Sequence, residues 1–449
     1  MLNHKTVLSL TFLYSIFVLV WVQPFTESPI NDDWAYLLTV KFFHENNAWY
    51  FSYWPSMTLV GQSVFGIVFS KIVGFSIVKI RLLTFSLSIL SLLLTYFLTW
   101  RISKSYQTAL IAWIIACVFP FTMHLSLSFM TEIYEWFGVL CSLLLFQILL
   151  ANLRKSIWIL LIFSCLFTVL VRQTSLVIPL SIFLVAVISG RKRISIKWSI
   201  LNLFLCIVAI IICQNWQLTI QPEIRAHGVD VLFKNVINHF PSVYVERIFG
   251  IVQLIGFFLI PLTFIYFKTA TIRSSWKVSF LILLLLTPLF YFGFGNFPYG
   301  NTFTLFEWGP RFLKDTPTFI NVSDLPKFVN VVIHGFSLFS IAFWLSNLYN
   351  WFKNQGVRLT VNINPFTLLL VLSIVFNMII HLLVPVFFDR HLFLTLQLLF
   401  LLILTTKSTQ SGFLSKPLIL KSAIVFVMFL SLNLGMNKSY FTWLNAQKE

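Results

Sequence analysis

Charge is scarce in this chain: 10% of its 449 residues are charged, and 14 are acidic. A charge at the bilayer centre costs about 2.5–3.5 kcal/mol on insertion scales, so in an apolar chain the remaining charges belong at helix ends or in a site. Cysteine is scarce too. Cys117, Cys141, Cys165, Cys206 and Cys213 all fall within apolar runs, without metal-ligand spacing or pairing logic, which leaves them as small core hydrophobes. There is no GxxxxGK[ST], no GxGxxG after a strand and no soluble domain to hold a nucleotide, so ATP-driven or nucleotide-sugar-dependent chemistry is not expected. No small-x-small cleavage site follows the first apolar stretch, where Trp21, Gln23 and Pro24 stand instead. The first helix is therefore expected to stay attached.

What is present is apolar: 58% hydrophobic residues, 51 Phe and a mean hydropathy of +0.89. The expected fold is an all-α integral membrane protein with about thirteen spans. They are expected at 7–25, 80–100, 106–123, 132–150, 156–171, 175–190, 198–214, 245–267, 278–293, 328–351, 365–387, 391–406 and 417–435. In a soluble protein the net charge of +17 would suggest nucleic acid; here its distribution orients helices, and no nucleic-acid partner is expected. With the N-terminus inside, the short cytoplasmic segments collect Arg101, Lys104, Arg154, Lys155, Arg191, Lys192, Arg193 and Lys197, among others. All 14 acids fall outside or at outer helix ends. Chemistry, if any, faces outward.

Residues 1–435 then form one membrane domain, with outer loops at 26–79, 215–244 and 294–327, followed by a short extracytoplasmic tail at 436–449. The first loop reads as two interfacial helices, Asp33 to Glu45 and Pro55 to Gly74. Its aromatics Trp34, Tyr36, Trp49, Tyr50, Tyr53 and Trp54 suit the headgroup zone. Two sequons, Asn321-Val322-Ser323 and Asn437-Lys438-Ser439, face outward in this topology.

In order and place, three motifs resemble those of the polyprenyl-phosphate-sugar-dependent glycosyltransferases of the GT-C fold, which include protein O-mannosyltransferases and the aminoarabinose transferases of lipid A. Asn31-Asp32-Asp33-Trp34-Ala35-Tyr36 stands where the family's first outer loop opens with an acidic pair and an aromatic. Thr131-Glu132 matches the acid entering the fourth helix. Phe388-Asp389-Arg390-His391-Leu392 matches a late Asp-Arg-aromatic motif, with His391 where Tyr is usual. The Glu-Lys-Pro-Pro segment of aminoarabinose transferases is absent: Ser52-Tyr53-Trp54-Pro55-Ser56 stands there, so no role of that Glu and Lys carries over.

The resemblance implies attack of an acceptor hydroxyl on the anomeric carbon of a lipid-phosphate sugar, with inversion, on the outer face of a membrane, bacterial plasma membrane being the expected setting. The acceptor would be a lipid, a glycan or a protein hydroxyl. A polyprenyl phosphate already leaves well, so one base and cations on the phosphate suffice. By its matched position Asp32 is the expected base; alternatively it is the N-cap of the interfacial helix. Asp33 either orients the site, binds a divalent cation or favours the helix N-terminus. Glu132 is a second carboxylate facing Asp32 or a helix-dipole partner, and Glu135, one turn on, is deep for a decorative charge. Asp32, Asp33 and Glu132 are also the possible ligands of Mg²⁺ or Mn²⁺.

Arg390 is expected to grip the lipid phosphate, or with Asp389 to anchor the interface. Arg172, at an outer turn, contacts phosphate or marks the turn. In the loop from Asn296 to Arg311, Tyr299 and Trp308 are candidates to stack on sugar and Arg311 to serve the phosphate, solvated loop being the alternative. A transporter or flippase of lipid-linked sugars competes with this reading, but it would place ionisable groups near the midplane and often show two matching halves. A structural membrane scaffold is the third account.

Overall fold

The computed structural model of the protein describes residues 3–30, 32–54, 57–189, 194–222, 242–266, 281, 327–355, 364–383, 389–408 and 416–446. Among the described residues regular structure is helical throughout, with no strand. In chain order the helices are α1 (His4–Val22), α2 (Asp33–Asn46), α3 (Val60–Val73), α4 (Ile77–Ser103), α5 (Tyr106–Val118), α6 (Pro120–Ser126), α7 (Thr131–Ala151) and α8 (Lys155–Val171). They continue with α9 (Val177–Ser189), α10 (Ile196–Ile220), α11 (Ser242–Tyr266), α12 (Lys327–Gln355), α13 (Pro365–Leu383), α14 (Phe393–Ser408) and α15 (Lys416–Ala446).

Among the described residues six stretches are long and apolar enough to cross a membrane: His4–Val22, Ile77–Ser103, Thr131–Ala151, Ile196–Ile220, Pro365–Leu383 and Leu420–Thr442. Shorter apolar helices stand between them. The outside of the bundle exposes many large apolar side chains, with Phe12 65%, Val20 66%, Phe163 65% and Ile212 63% exposed. A coat of that kind is stable against lipid tails and not against water. The expected span 278–293 lies almost wholly outside the described residues, as do 223–241 of the second outer loop and 294–326 of the third.

Capping residues fix where several helices start. The side chains of Asn3, Ser76 and Ser105 accept from the backbone N–H of Thr6, Lys79 and Thr108, and α1 and α4 stop at Gln23 and Lys104 in left-handed conformation.

Four expectations are corrected. The span expected over 106–123 breaks at Phe119, because Pro120 lacks an N–H and forces the residue before it into extended conformation. The break takes two carbonyls out of the helix ladder. Tyr14 from α1 donates to the Cys117 carbonyl at 3.3 Å, and Asn433 from α15 to that of Val118 at 2.7 Å. Second, the interfacial helix expected from Pro55 begins only at Val60. Thr58 and Leu59 are committed to the end of α8: the Thr58 hydroxyl donates to the Val169 carbonyl at 2.8 Å and the Leu59 N–H to that of Val171 at 3.2 Å.

Third, the tail expected after 435 is helical through Ala446. Its buried face, Asn433, Asn437, Phe441 and Leu444, keeps helical spacing although its composition is polar. Fourth, Asn437 is consequently no open sequon. It is 4% exposed, lies 3.2 Å from His124 Nδ1 and donates to the Asn433 carbonyl at 2.8 Å. The other sequon, at Asn321, lies outside the described residues.

α7 packs against both α4 and α8. At its contact with α8 a Cβ on Gly138 would stand 2.5 Å from Thr168 Oγ1 and 3.0 Å from Phe167, so only glycine permits this approach. The hydroxyls of Ser142 and Ser164 both donate to the Gly138 carbonyl there, at 2.9 and 3.0 Å. Polar and aromatic residues collect in two separate places. At one, Tyr96, Phe97, Trp100 and Tyr106 surround His4. At the other lie Asp32, Asp33, Arg81, Glu132 and Arg172.

Candidate active site

Asp33, at the start of α2, is 1% exposed. Its Oδ1 accepts from the Ile30 N–H at 2.6 Å and its Oδ2 from the Phe129 N–H at 3.2 Å, tying the first outer loop to the entry of α7. Beside it the buried Arg81 guanidinium donates to the carbonyls of Pro24 (2.8 Å), Thr26 (2.8 Å) and Ser28 (2.9 Å) and lies 5.2 Å from the Phe441 ring. Glu27 in the same loop accepts from the Ile77 N–H at 2.7 Å, at the start of α4. Burial pushes the Asp33 carboxyl up to about 7. The Arg81 guanidinium and the two backbone N–H groups work against that rise, and the neighbouring Asp32 adds to it.

Asp32 is half-exposed and occupies the cap position of α2, yet its carboxylate makes no cap bond to the helix. It instead accepts from the indole N–H of Trp54 at 3.2 Å. The Trp34 ring, from the first turn of α2, lies 6.4 Å from that of Trp54, inclined by 41°. The capping alternative for Asp32 therefore does not describe this geometry.

Glu132 and Glu135 lie one turn apart on α7, both buried, facing Arg172 in the turn after α8. Arg172 Nη1 is 2.8 Å from Glu132 Oε1, and its Nε is 3.5 Å from Glu135 Oε2. Thr131 accepts from Arg172 at 3.4 Å. Ser175 and Thr174 donate to Glu135, the latter at 3.4 Å. Two carboxylates thus hold the guanidinium expected to meet phosphate, and Glu132 meets that guanidinium rather than Asp32. Buried charges persist only when matched this way.

His381, at the end of α13, is within electrostatic reach of Arg172. Its ring is stacked with that of His391 at 6.3 Å and 16°. His391 lies in the short 3-10 turn Asp389–Leu392, which also holds the backbone of Asp389 and Arg390, while their side chains lie outside the described residues. Tyr36, one turn after Asp32, is also buried and lies near Arg172. Tyr299, Trp308 and Arg311 lie outside the described residues.

No protein-family model matches this chain, and no curated protein matches it either.

Among the described residues no three His, Cys, Asp or Glu side chains converge as a cation site. Asp33 is taken by two N–H groups and Glu132 by Arg172, so these two and Asp32 do not fit a shared Mg²⁺ or Mn²⁺. An apolar groove of about 610 Å³ between α1, α5 and α15, lined by Tyr14, Phe17, Trp113 and Phe426 among others, shares no residue with this end. Sequence reasoning missed Arg81 and His381. Each is one polar residue inside an apolar helix, and Arg81 stands where a cation at a helix end reads as an ordinary boundary.

Proposed function

We propose that the protein is a membrane glycosyltransferase that moves a monosaccharide from a polyprenyl-phosphate donor to an acceptor hydroxyl on the extracytoplasmic face, within a topology of about thirteen spans with the N-terminus inside. The observation that carries this reading is the state of Asp32. It is a half-exposed carboxylate at a helix start that accepts from the Trp54 indole N–H and is not used as a cap. Such a group can accept a proton from a substrate without first breaking a buried ion pair.

In the reaction Asp32 takes the acceptor's hydroxyl proton as the oxygen attacks the anomeric carbon. The new carbon–oxygen bond forms on the face opposite the phosphate, and the polyprenyl phosphate leaves with the bonding pair. Arg390 and Arg311 are the cations assigned to that phosphate, with Tyr299 and Trp308 as further candidates to meet the sugar. Arg172, already shared by Glu132 and Glu135, holds the wall of the site. The acceptor is a lipid, a glycan or a protein hydroxyl.

One observation favours a second reading. Glu132, Glu135, Arg172 and His381 form a buried ionisable cluster, which a transporter of lipid-linked sugars would also need. Transfer from labelled polyprenyl-phosphate monosaccharides by purified protein in lipid separates the two. The transferase reading expects turnover by wild type and a loss of about 100- to 10,000-fold in Asp32→Asn with donor still bound. Movement of the lipid-linked sugar across a vesicle membrane without transfer, equal in both proteins, would put the transporter in its place.

A further inference from the structure

The aromatic residues of the first outer loop divide into two groups. Trp49, Phe51 and Trp216 of α10 close on one another: Trp49 and Phe51 stack at 5.6 Å and 18°, and Trp216 meets them edge-on at 5.0 and 5.5 Å. That group is packing. Trp34 and Trp54 differ from it. They are 37% and 40% exposed, and their planes diverge by 41° at a centroid distance of 6.4 Å, so the two rings do not cover each other.

A tryptophan that serves only as a bilayer anchor turns its indole N–H to water or headgroups. Here the N–H of Trp54 is spent inside the protein, on Asp32 Oδ1 at 3.2 Å. The backbone under that ring is set as well, since the Trp54 N–H of the main chain donates to the Ser52 hydroxyl at 3.3 Å, and Ser52 is buried. Trp34 is fixed by its place in the first turn of α2, whose start Asp33 and Arg81 hold. Two oriented aromatic faces therefore flank one carboxylate.

That combination suits one chemical class. A sugar ring has an apolar C–H face, which lies against an aromatic face, and a rim of hydroxyls, which donate to a carboxylate. A hydrocarbon tail would use the rings and gain nothing from the carboxylate, and a phosphate would be repelled by it.

We propose that Trp34 and Trp54 form the sugar-stacking subsite of the Asp32 centre and bind the monosaccharide of the lipid-linked donor. The proposal deepens the transferase reading and rests on it for the donor's identity. Its test is nevertheless binding rather than turnover. Polyprenyl-phosphate hexose, polyprenyl-phosphate pentose and sugar-free polyprenyl phosphate are titrated against wild type, Trp34→Leu, Trp54→Leu and Trp54→Phe in nanodiscs.

Wild type is expected to prefer a sugar-bearing lipid. Each Leu variant should lose about tenfold in affinity for that lipid and none for the sugar-free one, while Trp54→Phe, which keeps a ring, retains most of it. Equal loss for both lipids would make the rings bilayer anchors and overturn the subsite, as would unchanged affinity in the Leu variants or a wild type that ignores the sugar. If wild type selects the sugar-bearing lipid through these rings and never transfers its sugar, the subsite stands and the transferase reading falls.

Discussion

The Asp32 carboxylate is half-exposed and accepts from an indole N–H, whereas Glu132 and Glu135 are buried and share one guanidinium. Both regions sit at the same end of the bundle. The difference is one of availability. A carboxylate already matched by Arg172 and hydroxyls has its energy committed to the fold, and using it means paying desolvation twice. A half-exposed carboxylate at the rim, accepting from an indole, can exchange that bond for one to a substrate. Rarity of charge marks both regions as candidates, and only their surroundings tell wall from reacting group.

The largest break in that comparison comes from the closed region. Arg172→Leu leaves Glu132 and Glu135 buried without a countercharge and should cost about 3–5 kcal/mol, read as a large fall in melting temperature in detergent or as loss of folded protein. Next is the helix contact that brings the triad's elements together. Gly138→Ala puts a methyl 2.5 Å from Thr168 Oγ1, forcing α7 away from α8 and loosening Glu135 from Arg172. A loss of about 1–3 kcal/mol is expected, and Gly138→Ser should be no better.

A third effect belongs to Asp33, which joins the two regions. Its folded-state pKa, about 7, stands above the ordinary 3.8 of an aspartate, so the folded protein holds this proton more tightly than the unfolded chain. The associated stability is fully present below the unfolded value and is lost as pH rises through about 7, at no more than about 1.4 kcal/mol per pH unit. The melting temperature of wild type relative to Asp33→Asn should accordingly fall between pH 5 and pH 8. A difference that is flat or grows with pH would mean that the two N–H donors and Arg81 outweigh burial.

Much of the scaffold could be read from sequence, because long apolar runs leave little choice but a helix. The errors fall where a few residues override a run. Pro120 divides what hydropathy joins, and Asn433 and Asn437 continue a buried helical face through a segment whose composition reads as a tail. At the site the candidates Asp32, Asp33, Glu132 and Arg172 stood out because charge is rare here. Their pairing did not, since Arg172 finds Glu132 and Asp33 finds the Phe129 N–H only once α7, α8 and the first loop have packed. Arg81 was invisible for the same reason: its partners are three backbone carbonyls, which have no signature in sequence.

The smallest expected effect is the sharpest discriminator. Asp32→Asn should change stability by no more than about 0.5 kcal/mol, because the carboxylate caps nothing and the asparagine carbonyl can still accept from the Trp54 indole. A capping aspartate would behave otherwise: an asparagine replaces it well, but an alanine costs about 1 kcal/mol. Comparing Asp32→Asn with Asp32→Ala by thermal melting therefore separates the roles independently of any assay. If both leave the melting temperature alone, the acid at the cap position of α2 is not there for the helix; if alanine alone is costly, Asp32 supports the fold and its claim to the chemistry weakens.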